Sequence, residues 1–215
     1  LSPNRPGDSF MDEQFYGVTT TQPAGIAILI VCVIATLAVP RKWAAFPLVI
    51  LMMAIPSAQR FVVADLDFNF IRLVVITGFL RVLIRKEYLG FQIQLPDKAV
   101  VLWMIWAIIA FTMLREGFSG FITRSGYMLE AVGCYFLGRV YLRDMFDLRR
   151  LIVLMGIASI PMVCVFLFER FNGRNLFAQF GGVPEFTKVR QGRLRCQGPF
   201  SHPILAGIFW ANIVP

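Results

Sequence analysis

Charged residues are scarce in this chain of 215 residues, where Asp, Glu, Lys and Arg together make up 16% of the sequence. Soluble domains carry about 25% charged residues. Hydrophobic residues make up 57%, and they form long runs with almost no charge inside them. This pattern excludes an ordinary soluble enzyme, a disordered tail and a nucleic-acid-binding domain. It predicts a helical membrane protein with several spans.

Residues that bind metals or form disulfides are also few. The chain has four cysteines and one histidine, His202. Three of the cysteines lie inside apolar runs, where a thiol behaves as a small hydrophobic group, and only Cys196 lies in a polar stretch. Cys196 and His202 alone do not make a metal site, which needs three or four ligands. We therefore expect no obvious disulfide pair, no metal and no cofactor.

The apolar runs predict an all-α, polytopic membrane protein. A polar segment at residues 1–23 precedes a six-helix transmembrane region at 24–168, a basic loop at 169–202 and the start of a seventh helix at 203–215. That last run is shorter than the about 20 residues that a span needs, so we expect a fragment of a longer protein that has no activity alone. The second run is short; it extends through Phe61–Ala64, tilts or re-enters the membrane. The six runs are Ala24–Val39, Trp43–Pro56, Phe68–Ile84, Ala99–Leu114, Gly126–Leu142 and Leu151–Phe168.

Lysine and arginine residues in the short loops predict the orientation. One side of the predicted bundle carries eight of them, and the side that holds residues 1–23 carries four when the loop 169–202 is set aside. Positive residues accumulate in the cytoplasm, so the loop 169–202 is expected outside. The inverted topology stays open, because long loops are weak topology signals. Arg81 and Arg139, near the cytoplasmic ends, are expected to extend toward the interface.

The loop 169–202 is strongly basic, with six cations against Glu169 and Glu185. Arginine can donate two hydrogen bonds at once to phosphate oxygens, which indicates a diphosphate site. The alternative is contact with anionic lipid headgroups. Within the loop, the apolar segment Leu176–Phe180 is expected to dip into the lipid boundary. The candidate diphosphate ligands are Arg170, Arg174, Lys188, Arg190, Arg193 and Arg195.

Four of these cations lie within eight residues. In an extended backbone Arg193 and Arg195 share one face. Lys188 and Arg190 are expected on the other face, unless Gly192 permits a bulge that realigns them. The strand alone therefore divides the four cations between two faces.

His202 precedes a proline, which disfavours helical backbone at His202 and is well placed as the first residue of a helix. His202 is therefore expected at or beside the cap of the seventh helix, where free N–H groups and the helix dipole attract anions. A turn at Gly198–Pro199 would fold the basic strand over this cap. His202 is either a base that accepts a proton or simply a helix cap.

Two further acids are candidates. Glu130 lies in the fifth run, where an intramembrane acid indicates function. It either accepts a proton from the acceptor sugar or forms an ion pair with Arg72. Asp65 and Asp67 are expected to form a polar cap with Arg60 rather than a metal site.

The motifs Gly173-Arg-Asn-Leu-Phe, Gly181-Gly-Val-Pro-Glu and Arg193-Leu-Arg-Cys-Gln-Gly-Pro-Phe-Ser-His-Pro-Ile-Leu-Ala-Gly207 resemble the O-antigen ligase and O-antigen polymerase family. The exopolysaccharide-polymerase branch is the most similar. The resemblance covers roughly residues 170–210; the earlier runs match only in being hydrophobic.

This resemblance implies a metal-independent glycosyltransferase of the bacterial inner membrane that acts on undecaprenyl-diphosphate-linked glycans at the outer face. Membrane lipid and other polysaccharide assembly proteins would be its partners. Arg193 and Arg195 would hold the departing diphosphate, whose charge grows in the transition state. His202, Arg195 and Glu130 are the catalytic candidates. The alternative function is a transporter or flippase of an anionic glycolipid, which should have charges and broken helices near the bilayer midplane.

Overall fold

The computed structural model describes residues 19, 21–63, 66–114 and 118–213. The predicted N-terminal segment 1–23 and Asp65 therefore fall largely or wholly outside the described residues. The described chain is mostly helical, with two short β-hairpins that the sequence did not predict. The α-helices are α1 Pro23–Ala38, α2 Phe46–Ala54, α3 Phe70–Ile84, α4 Leu95–Leu114, α5 Phe118–Tyr141, α6 Met145–Asn172 and α7 Pro203–Ile213. Short 3₁₀ helices cover Arg41–Trp43 and Leu176–Phe180, and the strands are β1 Arg60–Val63, β2 Leu66–Asn69, β3 Val189–Arg190 and β4 Arg193–Leu194.

Each predicted apolar run overlaps a helix, but the helix boundaries differ from those of the run. The second run holds only the nine residues of α2, which as an α-helix reach about 14 Å. The helix α6 has 28 residues and continues beyond the predicted end of its run. The helix α4 begins before its apolar run, because the Asp97 carboxylate accepts a hydrogen bond from the Gln94 N–H at 2.7 Å. This bond satisfies one of the unpaired donors at a helix start.

Two helices are long and apolar enough to cross a membrane, α4 and α6. The predicted six spans are thus not all reproduced as long helices among the described residues. The helices α1 and α7 are apolar but shorter. The apolar sequence of α5 is interrupted by the charged residues Arg124, Glu130 and Arg139.

The chain divides into two compact units. The first unit holds the described residues up to Leu29, those between Val49 and Phe70, and those from Ile152 onward; the second holds the ranges between them. The core of the first unit contains Met53, Met162, Phe177 and Val183. Phe177 is therefore buried against helices, so the 3₁₀ segment does not simply dip into lipid as predicted, although Leu176 is exposed. Burial of one such side chain stabilises the fold by about 1.5–3 kcal/mol.

The hairpin β1–β2 also belongs to the first unit, with Arg60 paired to Asn69 across the strands. Arg60 and Asp67 form a buried ion pair at 2.6 Å, so two of the three residues of the predicted polar cap are in contact. The later segment packs closely here, because a methyl group on Gly182 would lie 1.9 Å from the Ala58 Cβ. Gly182 also has a φ of 75°, a left-handed conformation that favours glycine.

Buried arginine organises the second unit. The Arg81 side chain is fully buried; it pairs with Glu87 at 2.8 Å and donates to the carbonyls of Thr36 and Val39. The last carbonyls of a helix lack partners within the helix and attract cations. Arg81 therefore caps the end of α1, and the expected extension toward a membrane interface is wrong for this residue. Arg139 likewise pairs with Asp97 at 3.0 Å.

Candidate anion-binding site

The predicted loop 169–202 is folded rather than open, and it belongs entirely to the first unit. Its first residues are helical, since α6 continues to Asn172, so Glu169 and Arg170 lie in the last turn of α6 rather than in the loop. An isolated bridge joins Arg174 to Phe186, and the hairpin β3–β4 follows. The six predicted phosphate ligands therefore lie on three different local structures.

The hairpin β3–β4 changes the predicted placement of the cations. Its two connecting residues, Gln191 and Gly192, have φ angles of 54° and 72°. Positive φ at both positions is the signature of a type I′ turn, which joins two strands in register. Arg190 then lies directly opposite Arg193.

This register brings all four cations to one face. Directly opposite residues of an antiparallel pair share a face, and alternate residues of a strand also share one. The ladder extends one step further, because the Arg195 N–H donates to the Lys188 carbonyl at 2.9 Å. Lys188 therefore joins Arg190, Arg193 and Arg195, and the predicted division between two faces is wrong. The four cations are aligned by the tight turn at Gln191 and Gly192 rather than by a bulge.

Like charges directly opposite each other destabilise a hairpin. Within the described part of the chain, none of these four cations forms an ion pair with an acid. Lys188, Arg190 and Arg193 are exposed and Arg195 is half-buried. Such a face is complementary to a compact group with several negative charges.

The remaining two cations are less directly involved. The Arg174 guanidinium lies 5.3 Å from the centroid of the Phe186 ring, a cation–π contact. Arg170 is exposed in the last turn of α6, where a cation is favoured by the helix dipole. Arg174 therefore has a partner within the chain, and the role of both residues as phosphate ligands stays a prediction.

A tight turn follows the hairpin, as predicted for Gly198–Pro199. The Phe200 N–H donates to the Gln197 carbonyl at 3.1 Å. Gly198 has a φ of 56°, and a Cβ there would lie 2.5 Å from the Phe166 ring. The turn therefore requires glycine for both its backbone conformation and its packing.

Glu169 and Asn175 hold this turn, and sequence reasoning gave neither a role. The Gly198 N–H donates to Glu169 Oε2 at 2.9 Å, and Asn175 Nδ2 donates to the Gly198 carbonyl at 2.7 Å. Asn175 also accepts from the Phe177 N–H, which caps the second 3₁₀ helix. The available signal was weak: an acid at a helix end within an otherwise cationic stretch.

His202 caps α7, as one of the two predicted alternatives. Its Nδ1 accepts from the Ile204 N–H at 3.2 Å, while Pro203 is the first helical residue. This is the side-chain-to-N2 bond of an N-cap. In a neutral imidazole with Nδ1 as acceptor, Nε2 carries the proton. The geometry therefore favours His202 as a hydrogen-bond donor toward a ligand over His202 as a base.

Cys196 lies between the hairpin and the turn and is half-buried. Burial raises the pKa of the Cys196 thiol, the nearby Glu169 carboxylate raises it further, and Arg170 partly opposes them. Because the thiolate is the nucleophile, this thiol reacts slowly at neutral pH.

Glu130 is engaged in the ion pair that was the other predicted alternative. Its Oε1 accepts from Arg72 Nη2 at 2.6 Å and from Arg72 Nε at 3.0 Å. Both residues are nearly buried and belong to the second unit. These contacts match the ion-pair alternative, and a catalytic role of Glu130 stays a prediction.

Comparison with protein-family models, curated proteins and solved structures finds no match to this chain. The resemblance to O-antigen ligases and polymerases thus rests on the motif residues alone. The geometry gives several of these residues a physical reason: Arg195 extends the hairpin ladder, Gly198 forms the turn and His202 caps α7.

Proposed function

We propose that the chain is part of a polytopic inner-membrane glycosyltransferase that polymerises or transfers undecaprenyl-diphosphate-linked oligosaccharides. In this proposal the four-cation face of the hairpin β3–β4 binds the diphosphate. The observation that carries it is the register that brings Lys188, Arg190, Arg193 and Arg195 to one face without acidic partners among the described residues. Because the charge of a departing diphosphate grows during transfer, fixed cations stabilise the transition state more than the substrate.

The exposed apolar surface supports a place in the membrane. Only 6% of the apolar window of α4, and of that of α6, is buried. A core helix of a soluble protein would be mostly buried, whereas a spanning helix faces lipid with its apolar side chains. The 20 residues of α4 reach about 30 Å, the thickness of a bilayer core. We place the loop that follows α6 on the outer face, where the motif resemblance implies that transfer occurs.

His202 completes the proposed site as a donor. Its Nδ1 is occupied by the cap, so its Nε2–H is the group left to contact a phosphate or sugar oxygen. Glu130 is not part of the proposed site, since Arg72 holds its carboxylate.

The test is diphosphate binding by the full-length protein in lipid nanodiscs. R193Q and R195Q should each weaken binding of undecaprenyl diphosphate about tenfold, as expected for the loss of one charge-assisted hydrogen bond. Undecaprenyl monophosphate should bind more weakly than the diphosphate. The matched control is R149Q, which removes an exposed cation of the second unit.

In cells, R195Q should shorten or abolish the surface polysaccharide, while R149Q should not. Equal losses of binding in R149Q and R195Q would assign the effect to bulk charge and contradict the site. Transport of the lipid-linked glycan across vesicles without formation of a glycosidic bond would favour the flippase alternative.

A further inference from the structure

The Glu169 carboxylate is fully buried at the end of α6, yet no cation of the described chain forms an ion pair with it. Its Oε1 accepts from Thr187 Oγ1 at 2.9 Å and from the Gln197 N–H at 3.1 Å. Its Oε2 accepts from the Gly198 N–H at 2.9 Å. An unpaired buried carboxylate is costly, and three donors offset that cost.

The donors to Glu169 lie at the two ends of the basic hairpin. Thr187 immediately precedes the strand that carries Lys188 and Arg190, and Gln197 follows Arg195 and Cys196. Both legs of the basic hairpin are therefore fastened to one oxygen atom of one side chain. The Thr187 N–H is also bound, to the Gly173 carbonyl at 2.9 Å.

The position of the Glu169 carboxylate is not explained by an ion pair that neutralises its charge. The α6 C-terminus repels a carboxylate through the helix dipole, and an arginine partner would have been available in a segment with six cations. Hydroxyl and backbone donors are used instead. All four cations of the hairpin face consequently stay available to a ligand.

We propose that Glu169 is a positioning residue that fixes the base of the hairpin β3–β4 and so sets the spacing and direction of its four cations. The role rests on the proposed function in one respect: it assumes that these cations bind the diphosphate. The fastening of the hairpin itself is measurable without any ligand.

The decisive variant is E169Q in the full-length protein in nanodiscs, with E185Q as its matched control. Glu185 is the other acid of the segment and is exposed. An amide has only one acceptor oxygen, so E169Q cannot satisfy donors at both Oε1 and Oε2. Hydrogen exchange of the Arg195 N–H should accelerate about tenfold or more in E169Q and stay unchanged in E185Q.

The sign of the change in affinity separates positioning from simple electrostatics. Removal of a negative charge near a cationic site should strengthen anion binding by Coulomb attraction alone. Positioning predicts the reverse: undecaprenyl diphosphate binds about tenfold more weakly to E169Q. E185Q should bind equally well or slightly better than the wild type.

A second pair of variants guards against misfolding of E169Q. T187V keeps the shape of threonine but lacks the hydroxyl donor, and T187S keeps the donor. T187V should accelerate exchange and weaken binding, and T187S should restore both. A purely structural role in packing would give the opposite order.

Unchanged exchange in both E169Q and T187V would overturn the positioning role, and so would tighter diphosphate binding by E169Q. A wild-type protein that binds no diphosphate would overturn the proposed function instead. The exchange rates would then still decide whether Glu169 fastens the hairpin.

Discussion

At the scale of single residues, His202 shows how one contact changes a chemical assignment. The sequence places it at the start of a helix but leaves open whether it caps the helix or accepts a proton. The bond from the Ile204 N–H occupies Nδ1, so a neutral ring in this position carries its proton on Nε2. The observed cap and the proposed ligand contact therefore use two different atoms of one ring.

This division can be separated by substitution. Asparagine is a good N-cap whose Oδ1 can replace Nδ1, but it has no group in the place of Nε2. H202N should keep the stability of α7 and lose glycosyl transfer at least about tenfold. H202A should lose the transfer and also about 1 kcal/mol of unfolding free energy.

Thermal unfolding and the polysaccharide chain length in cells measure the two effects. Full activity in H202N would show that His202 is a cap and nothing more.

At the scale of elements, the folding of the segment after α6 depends on glycines that the charge pattern does not reveal. Gly182 and Gly173 both have positive φ, 75° and 67°. Gly182 packs against Ala58, whereas no atom lies near the position of a Cβ on Gly173. The two positions therefore differ in crowding and share a positive φ that would strain an alanine.

G182A should lower the free energy of unfolding by about 3 kcal/mol or more, from a steric clash together with the strained backbone. G173A should lower it by about 1 kcal/mol, from the backbone alone. Thermal unfolding of the two purified variants in the same detergent gives the comparison. Equal losses would mean that the segment does not pack on Ala58.

The sequence predicted the elements that neighbouring residues determine. The runs of apolar residues gave the helices, and Pro203 gave the start of α7. The face of the cations was predicted wrongly, because it depends on the pairing of Arg190 with Arg193 and not on one strand. The role of Glu169 depends on Thr187, Gln197 and Gly198, which are 18 to 29 residues away in sequence, so no local pattern could indicate it.

At the scale of the whole molecule, apolar side chains dominate the surface of the two longest apolar helices. Ile152, Ile157 and Ile160 of α6 are all more than half exposed. The six predicted spans are not all found as long apolar helices among the described residues, since α2 is short and α5 carries the half-buried charges of Glu130 and Arg139. A long apolar run in the sequence favours a membrane span. The ion pairs of arginine, which the sequence does not reveal, determine which other residues a helix contacts.

The proposed orientation can be tested at Cys196. In a variant whose other cysteines are serine, a membrane-impermeant maleimide should label Cys196 in intact spheroplasts. Labelling needs a long reaction time at neutral pH, where maleimide is selective for thiols, because burial and Glu169 raise the pKa of Cys196 and the thiolate is the reactive form. An R149C variant in which all four native cysteines are serine places the thiol on the predicted cytoplasmic side, and its labelling should need permeabilisation. The reverse pattern would place the basic hairpin in the cytoplasm.

Because of the two-residue turn at Gln191–Gly192, the shared face of the cations depends on whether an odd or an even number of residues is inserted or deleted in a strand. Side chains alternate across a strand with a period of two, so one residue gained or lost within either leg would send part of the cations to the opposite side. A change of two residues would keep them together. Length changes in this short ribbon therefore keep the four cations on one face only when they come in even steps.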